Sequence, residues 1–144
     1  MATTTASLAI SSSDLQPGNR LSINASSTLM KSGLTTGLTQ VRSGYESIAT
    51  GTEFRLGPLA TEMVGDKHDI VSWVYLANLA TDDTHYIDWG LDNLMMGRLY
   101  AGDWMFIPWN AAVDAAEIEI EAQVASQAIE YTFFASDFIL TTAA

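Results

Sequence analysis

Apolar and polar residues alternate with a period of two along much of this chain, the mark of strands whose side chains point by turns to opposite faces. Leu8 and Ile10 are set among Ser7, Ala9 and Ser11, and Leu21 and Ile23 among Ser22 and Asn24. This predicts strands over 5–12 and 20–31. "LQPGN" joins them, with Pro17 and Gly18 in the order suited to the centre of a type II turn. A Gly/Thr-rich loop follows through "KSGLTTGLTQ". A thin strand pair of this kind is marginal alone and needs the main body or another molecule to cover it.

From residue 45 turn signals recur at the spacing of an all-β sandwich or barrel. "YESIAT" and "TEFRL" read as short strands around Gly51, and "GPLATEMVGDKHD" as a loop. "IVSWVYLANL" (70–79) is the strongest strand pattern. Val71, Trp73, Tyr75 and Leu79 share one face and Val74 and Leu76 the other, so this strand is expected to be central and covered on both sides. "ATDDT" reads as a turn, "HYIDWGL" as a strand, and "DNLMMG" as a connection. "RLYAG", "DWMFIPW", "AEIEIEAQ", "AIEYTFFA" and "DFILTT" follow as strands. "AAVDAAEIEIEAQVASQAIE" also fits a helix, with Ile118, Ala122, Ala125 and Ile129 on one face. The strict alternation of Glu117, Glu119 and Glu121 with Ile118 and Ile120 favours strand. In "DWMFIPWN", Trp104 and Phe106 are expected to fill the core with Trp73, while Trp109, beyond Pro108, is a candidate for a partner contact.

Composition divides the chain near the same place. Of the aromatic residues, only Tyr45 and Phe54 precede residue 62. Residues 1–44 therefore read as an extended, Ser/Thr-rich N-terminal arm, and 45–144 as a β-sandwich body. The net charge is −11, with residues 1–61 at +1 and residues 62–144 at −12. Such a surface repels phosphate backbones, so nucleic acid is not an expected partner. No apolar run approaches the roughly 20 residues of a membrane span, and "MATTTASLAISSS" lacks the basic and apolar regions of a signal peptide.

Little of the sequence suggests catalysis. Absence of cysteine excludes disulfides and thiolate chemistry. His68 in "DKHD" and His85 in "DDTH" lack the spacing of a metal-ligand pair, and Asp82-Asp83 lacks the alternate-position ligands of a calcium loop. Asp88 beside Trp89 invites a reading as a shielded acid, but alternation places the two on opposite faces. The expectation is a non-enzyme with no catalytic residues, no metal and no cofactor.

Two resemblances add to this. "GDWMFIP", from Gly102 to Pro108, resembles the second motif of cupins, in which a Gly-Asp turn feeds a strand ending at Pro. The metal-binding histidine that follows in cupins has no counterpart here, so the likeness implies jelly-roll strand geometry, with a cupin-like small-molecule binder as an alternative function. "YLANLATDDTHYIDWGL", "GRLYAGDWMFIPW", "IEIEA" and "AIEYTFF" together resemble small β-sandwich virion proteins of tailed bacteriophages, and the Ser/Thr-rich opening resembles structural proteins of marine phages. That resemblance implies a jelly-roll-like sandwich acting as a capsid decoration or cement protein on the outer surface of the virion. It would be made in the bacterial cytoplasm and bind the major capsid protein and itself. It also implies a homo-oligomer, a trimer being suited to local three-fold axes, and leaves a tail, neck or fibre position open. The arm residues Leu8, Ile10, Leu21 and Ile23, with Trp109, are the expected partner-binding set.

Overall fold

The computed structural model describes residues 4–16, 18–29, 38, 40–51, 53–56, 71–109, 117–124 and 126–135. They contain ten strands and no helix. The chain divides into two units, Met1–Leu38 and Thr39–Ala144.

The first unit is a hairpin of β1 (Thr5–Gln16) and β2 (Asn19–Thr28), with Thr5 opposite Thr28 and Gln16 opposite Asn19. Gly18 has φ 81°, the value a type II turn requires at its third position. Pro17 lies outside the described residues. The ladder is irregular between Ser12 and Gln16, where Ser12 Oγ accepts the Leu15 N–H at 3.0 Å and donates to Asp14 Oδ1 at 3.1 Å. The predicted arm is therefore paired strand, as the alternation suggests.

The second unit is a sandwich of two four-stranded antiparallel sheets. One has the order β3-β10-β5-β8, built from Gln40–Ile48, Gln127–Ala135, Val71–Asn78 and Trp104–Pro108. The other has the order β4-β9-β6-β7, built from Glu53–Arg55, Ile118–Ala122, Tyr86–Leu91 and Leu94–Tyr100. Every connection except β6–β7 passes from one sheet to the other. A single apolar cluster joins the sheets, with Val74, Leu76 and Phe133 from the first meeting Ile87, Ile118 and Ile120 from the second. Fully burying each such side chain contributes about 1.5–3 kcal/mol.

Several expectations shift. The body begins at β3, so residues 40–44, placed in the arm by their composition, belong to the sandwich. "DNLMMG" is not a connection. Asp92 and Asn93 alone form the turn, with φ 45° and 67°, and β7 starts at Leu94. Positive φ at both central positions matches the twist of paired strands, the reason such tight hairpins use it. The ambiguous segment is strand over 118–122, with β10 following. The stretch 57–69, read as a loop and holding His68, lies outside the described residues, as do Ile70, the first residue of the predicted strand, and the closing "DFILTT".

The largest correction concerns which residues face inward. Met105 lies opposite Leu76, and Ile107 opposite Val74, on the inner face of β8 and β5. Trp104, expected in the core, is 54% exposed, and Trp73 and Phe106 are half-buried on the outer face. Trp109, expected at a partner contact, is 5% exposed, with its ring 5.7 Å from Phe133 in the core. It continues the inward parity of Met105 and Ile107 past Pro108. Both columns of β8 are apolar, so alternation defined the columns without saying which was inner. The interior holds both kinds of side chain, Ile118 and Ile120 beside Phe133 and Trp109, so size does not decide the facing. Met105 and Ile107 follow the buried Leu76 and Val74 opposite them in the register.

Candidate interaction surfaces

Pairing in the hairpin sorts its side chains cleanly. Leu8 lies opposite Ala25, Ile10 opposite Ile23, and Ser12 opposite Leu21, so Leu8, Ile10, Leu21 and Ile23 form one apolar face. The other face carries Ser7 opposite Ser26, Ala9 opposite Asn24, and Ser11 opposite Ser22. The structure thus brings together four of the five residues expected to bind a partner. The fifth, Trp109, is in the core of the other unit. Leu8, Ile10 and Ile23 remain exposed, while a residue of their type is ordinarily covered.

A second apolar surface was not expected. On the outer face of the β3-β10-β5-β8 sheet, Tyr45, Trp73, Tyr75, Trp104, Phe106 and Phe134 stand together by register. Trp73 stacks on Phe106 at 5.1 Å with planes 7° apart. Phe134 meets Phe106 edge-on at 5.8 Å, and Tyr75 meets Trp104 at 6.3 Å. Burial and the nearby Glu130 carboxylate raise the Tyr75 hydroxyl above its ordinary pKa. Glu130 is the one charged residue at the outward register positions of this sheet's described strands. The sequence carries a signal for this surface, because β5 and β8 are apolar on both columns and only one column can face the other sheet.

The outer face of the opposite sheet is ionic. Asp88 lies opposite Arg98 and accepts two bonds from its guanidinium, at 2.7 and 3.2 Å, which lifts Arg98 further above its already high pKa. The same guanidinium covers the Tyr86 ring at 3.6 Å. Asp88 and Trp89 do face opposite ways, with Trp89 packed against the core. Next to this pair, Arg55 donates to Glu117 at 2.7 Å and lies 3.2 Å from Glu119 Oε1.

Glu119 is the unusual member. It is 0% exposed although it sits in the outward column of β9. Its Oε2 accepts the Asn93 N–H at 2.5 Å and so holds the tight β6–β7 turn. Burial and a hydrogen bond with the Glu53 carboxyl raise its pKa, opposed by the Asn93 N–H and Arg55. Alternation puts Glu119 in the same column as Glu117 and Glu121, away from Ile118 and Ile120. The side chains of Glu53 and Arg55 on β4 and the Asn93 backbone N–H surround its carboxyl.

The remaining polar groups have structural work. Asp82 accepts both the N–H and the hydroxyl of Thr84, at 2.9 and 2.7 Å, which lowers its pKa and caps the turn, with His85 3.5 Å away. Asn78, buried at the end of β5, donates to the Leu99 carbonyl at 2.9 Å and accepts from Ala80 N–H and Gln127. Gly102 has φ 84° and turns the chain into β8, which ends at Pro108. Among the described residues no group of three or more His, Asp or Glu is placed to hold a metal ion. No protein-family model matches the chain, and no curated protein matches its sequence.

Proposed function

We propose that this protein is a structural component of a tailed-phage virion, a decoration protein that binds the outer surface of the major capsid protein shell and stabilises it. The observation that carries the reading is the hairpin of the first unit. It presents Leu8, Ile10, Leu21 and Ile23 on one open face and hydroxyl side chains on the other. An extended element with an uncovered apolar face functions by adding to another surface. The strand order of the body adds support. Lettered B to I from β3, the sheets read B-I-D-G and C-H-E-F, the order of a jelly roll, an architecture used by capsid proteins and also by cupins. A net charge of −11 suits a protein outside a shell that encloses DNA.

The test is co-sedimentation of purified protein with parent capsids lacking it, followed by electron microscopy of the two particles. Added density on the outer shell and a higher particle melting temperature are expected. Density at a neck, tail or fibre would move the protein within the virion, and no association with any particle would overturn the reading.

A further inference from the structure

Strand β4 lies at the edge of its sheet and is joined to β9 by three residue pairs. Phe54 packs against the core, and the Leu56 N–H donates to the Ile118 carbonyl at 2.9 Å. The outward side chains of β4 meet carboxylates, with Glu53 opposite Glu121 and Arg55 opposite Glu119. Like charges directly opposite weaken a strand pair. Asp88 extends the row beyond Glu121 and is itself held by Arg98. Arg55 is divided among three acids, 2.7 Å from Glu117, 3.2 Å from Glu119 and 3.5 Å from Glu53. It is exposed, so solvent screens it.

Glu119 is the acid that solvent does not reach. Its Oε2 accepts the Asn93 N–H, but Oε1 is buried with no donor in hydrogen-bonding geometry, although Arg55 is close. Gly90, opposite on β6, has no side chain to offer, and Asp92 in the adjoining turn adds a further negative charge. A buried carboxylate oxygen without a donor is costly. A protonated Oε1 is a donor instead, and the Glu53 carboxylate is its acceptor.

We propose that Glu119 is a proton-operated latch on β4. As the neutral acid it fastens Glu53 and with it the edge strand. On ionising it loosens β4 and tightens its hold on the β6–β7 turn, while the rest of the sandwich stays closed. The two sides respond oppositely because a charged carboxylate repels Glu53 yet is the stronger acceptor for the Asn93 N–H. With β4 away, the Ile118 carbonyl and its neighbours along β9 become an open strand edge. The latch is independent of the virion reading.

Amide hydrogen exchange of the full chain, followed by NMR, tests it at Leu56 for β4, Asn93 for the turn and Phe133 for the core. As pH rises from the ordinary carboxyl range to the folded value of Glu119, protection of Leu56 should fall about tenfold for each pH unit, then level off. Asn93 should hold or gain protection, and Phe133 should stay the most protected of the three. In Glu119→Gln the amide donates to Glu53 without titrating, so Leu56 should keep its acid-pH protection throughout. In the unaltered protein, carbon-13 NMR should show the Glu119 carboxyl titrating above the ordinary glutamate range. Four results would each overturn the latch: Leu56 and Asn93 losing protection together, Leu56 exchanging only when Phe133 does, the same pH dependence in Glu119→Gln, or a Glu119 that titrates in or below the ordinary range.

Discussion

The hairpin and the body are written in the same alternation, yet only one of them encloses what it makes apolar. Each body sheet turns one column inward, and Phe133, Ile118 and Leu76 are lost from solvent entirely. The hairpin turns Leu8, Ile10, Leu21 and Ile23 to one side just as consistently, and the described residues of its unit form no second layer behind them. Period two therefore makes strands, and a facing sheet makes a fold. A single sheet with one apolar face is an unfinished layer, and that incompleteness is what assembly can use.

The sharpest way to break this comparison is at Trp109. If it belongs to the enclosed core, Trp109→Ala should destabilise the body by roughly 3–5 kcal/mol. Trp104→Ala, five residues earlier, should cost only the ring contact with Tyr75, about 0.5–1.5 kcal/mol. Thermal melts of the two variants decide it, and a reversed order would put the aromatic face inside. Gly90→Ala is expected to come next. A Cβ there would run into the backbone carbonyl of Leu94 and lie 2.7 Å from the Met95 Cα, neither of which can swing aside. Overpacking of that kind costs about 1–3 kcal/mol, to be read from chemical denaturation.

Glu119 tests whether a charged face can hide a buried group. Its pKa is raised in the folded protein, so the stability it contributes is fully present below the unfolded carboxyl value of about 4.3 and is lost as pH rises through the folded value. Glu119→Gln keeps an acceptor for the Asn93 N–H and removes the titration. The variant should be the more stable at neutral pH relative to the parent, and the difference should shrink in acid. An unchanged pH profile would mean that Glu53, Arg55 and Glu117 balance the charge.

The smallest effect is expected from removing residues 1–38, which should leave the melting temperature of the body nearly unaltered. Removing 1–44 instead takes Gln40 to Gly44 from β3, strips half the ladder opposite Tyr131 and Phe133, and should lower it clearly. Equal losses from the two truncations would mean that the hairpin is part of the enclosed core.

These differences also mark how far the sequence could be followed. Strand positions, the central place of 71–78 and the strand over Ile118–Ala122 were legible, because each rests on periodicity and turn residues that are local. Hidden were the choices that depend on a distant partner. Whether Met105 or Trp104 faces inward follows from the register of β8 on β5, where Met105 meets the buried Leu76 from a distant part of the chain. The Asp92-Asn93 turn was missed because Asp-Asn is a weaker signal than Asn-Gly or Asp-Gly. The burial of Glu119 has no local signal, because a Glu at an outward register position is ordinarily wet. For the surface, Leu8, Ile10, Leu21 and Ile23 were found from alternation alone, whereas the aromatic face was concealed by the assumption that bulk goes inside.

Strand β8 has one more consequence, for how such a protein can diverge. Met105 and Ile107, with Trp109 just beyond, answer to the interior, while Trp104 and Phe106 answer to whatever lies outside. Mutational pressure on recognition and on stability therefore falls on alternate letters of one short word. A lineage can rewrite Trp104 and Phe106 to follow a changing neighbour while the letters between them keep the spelling of the fold.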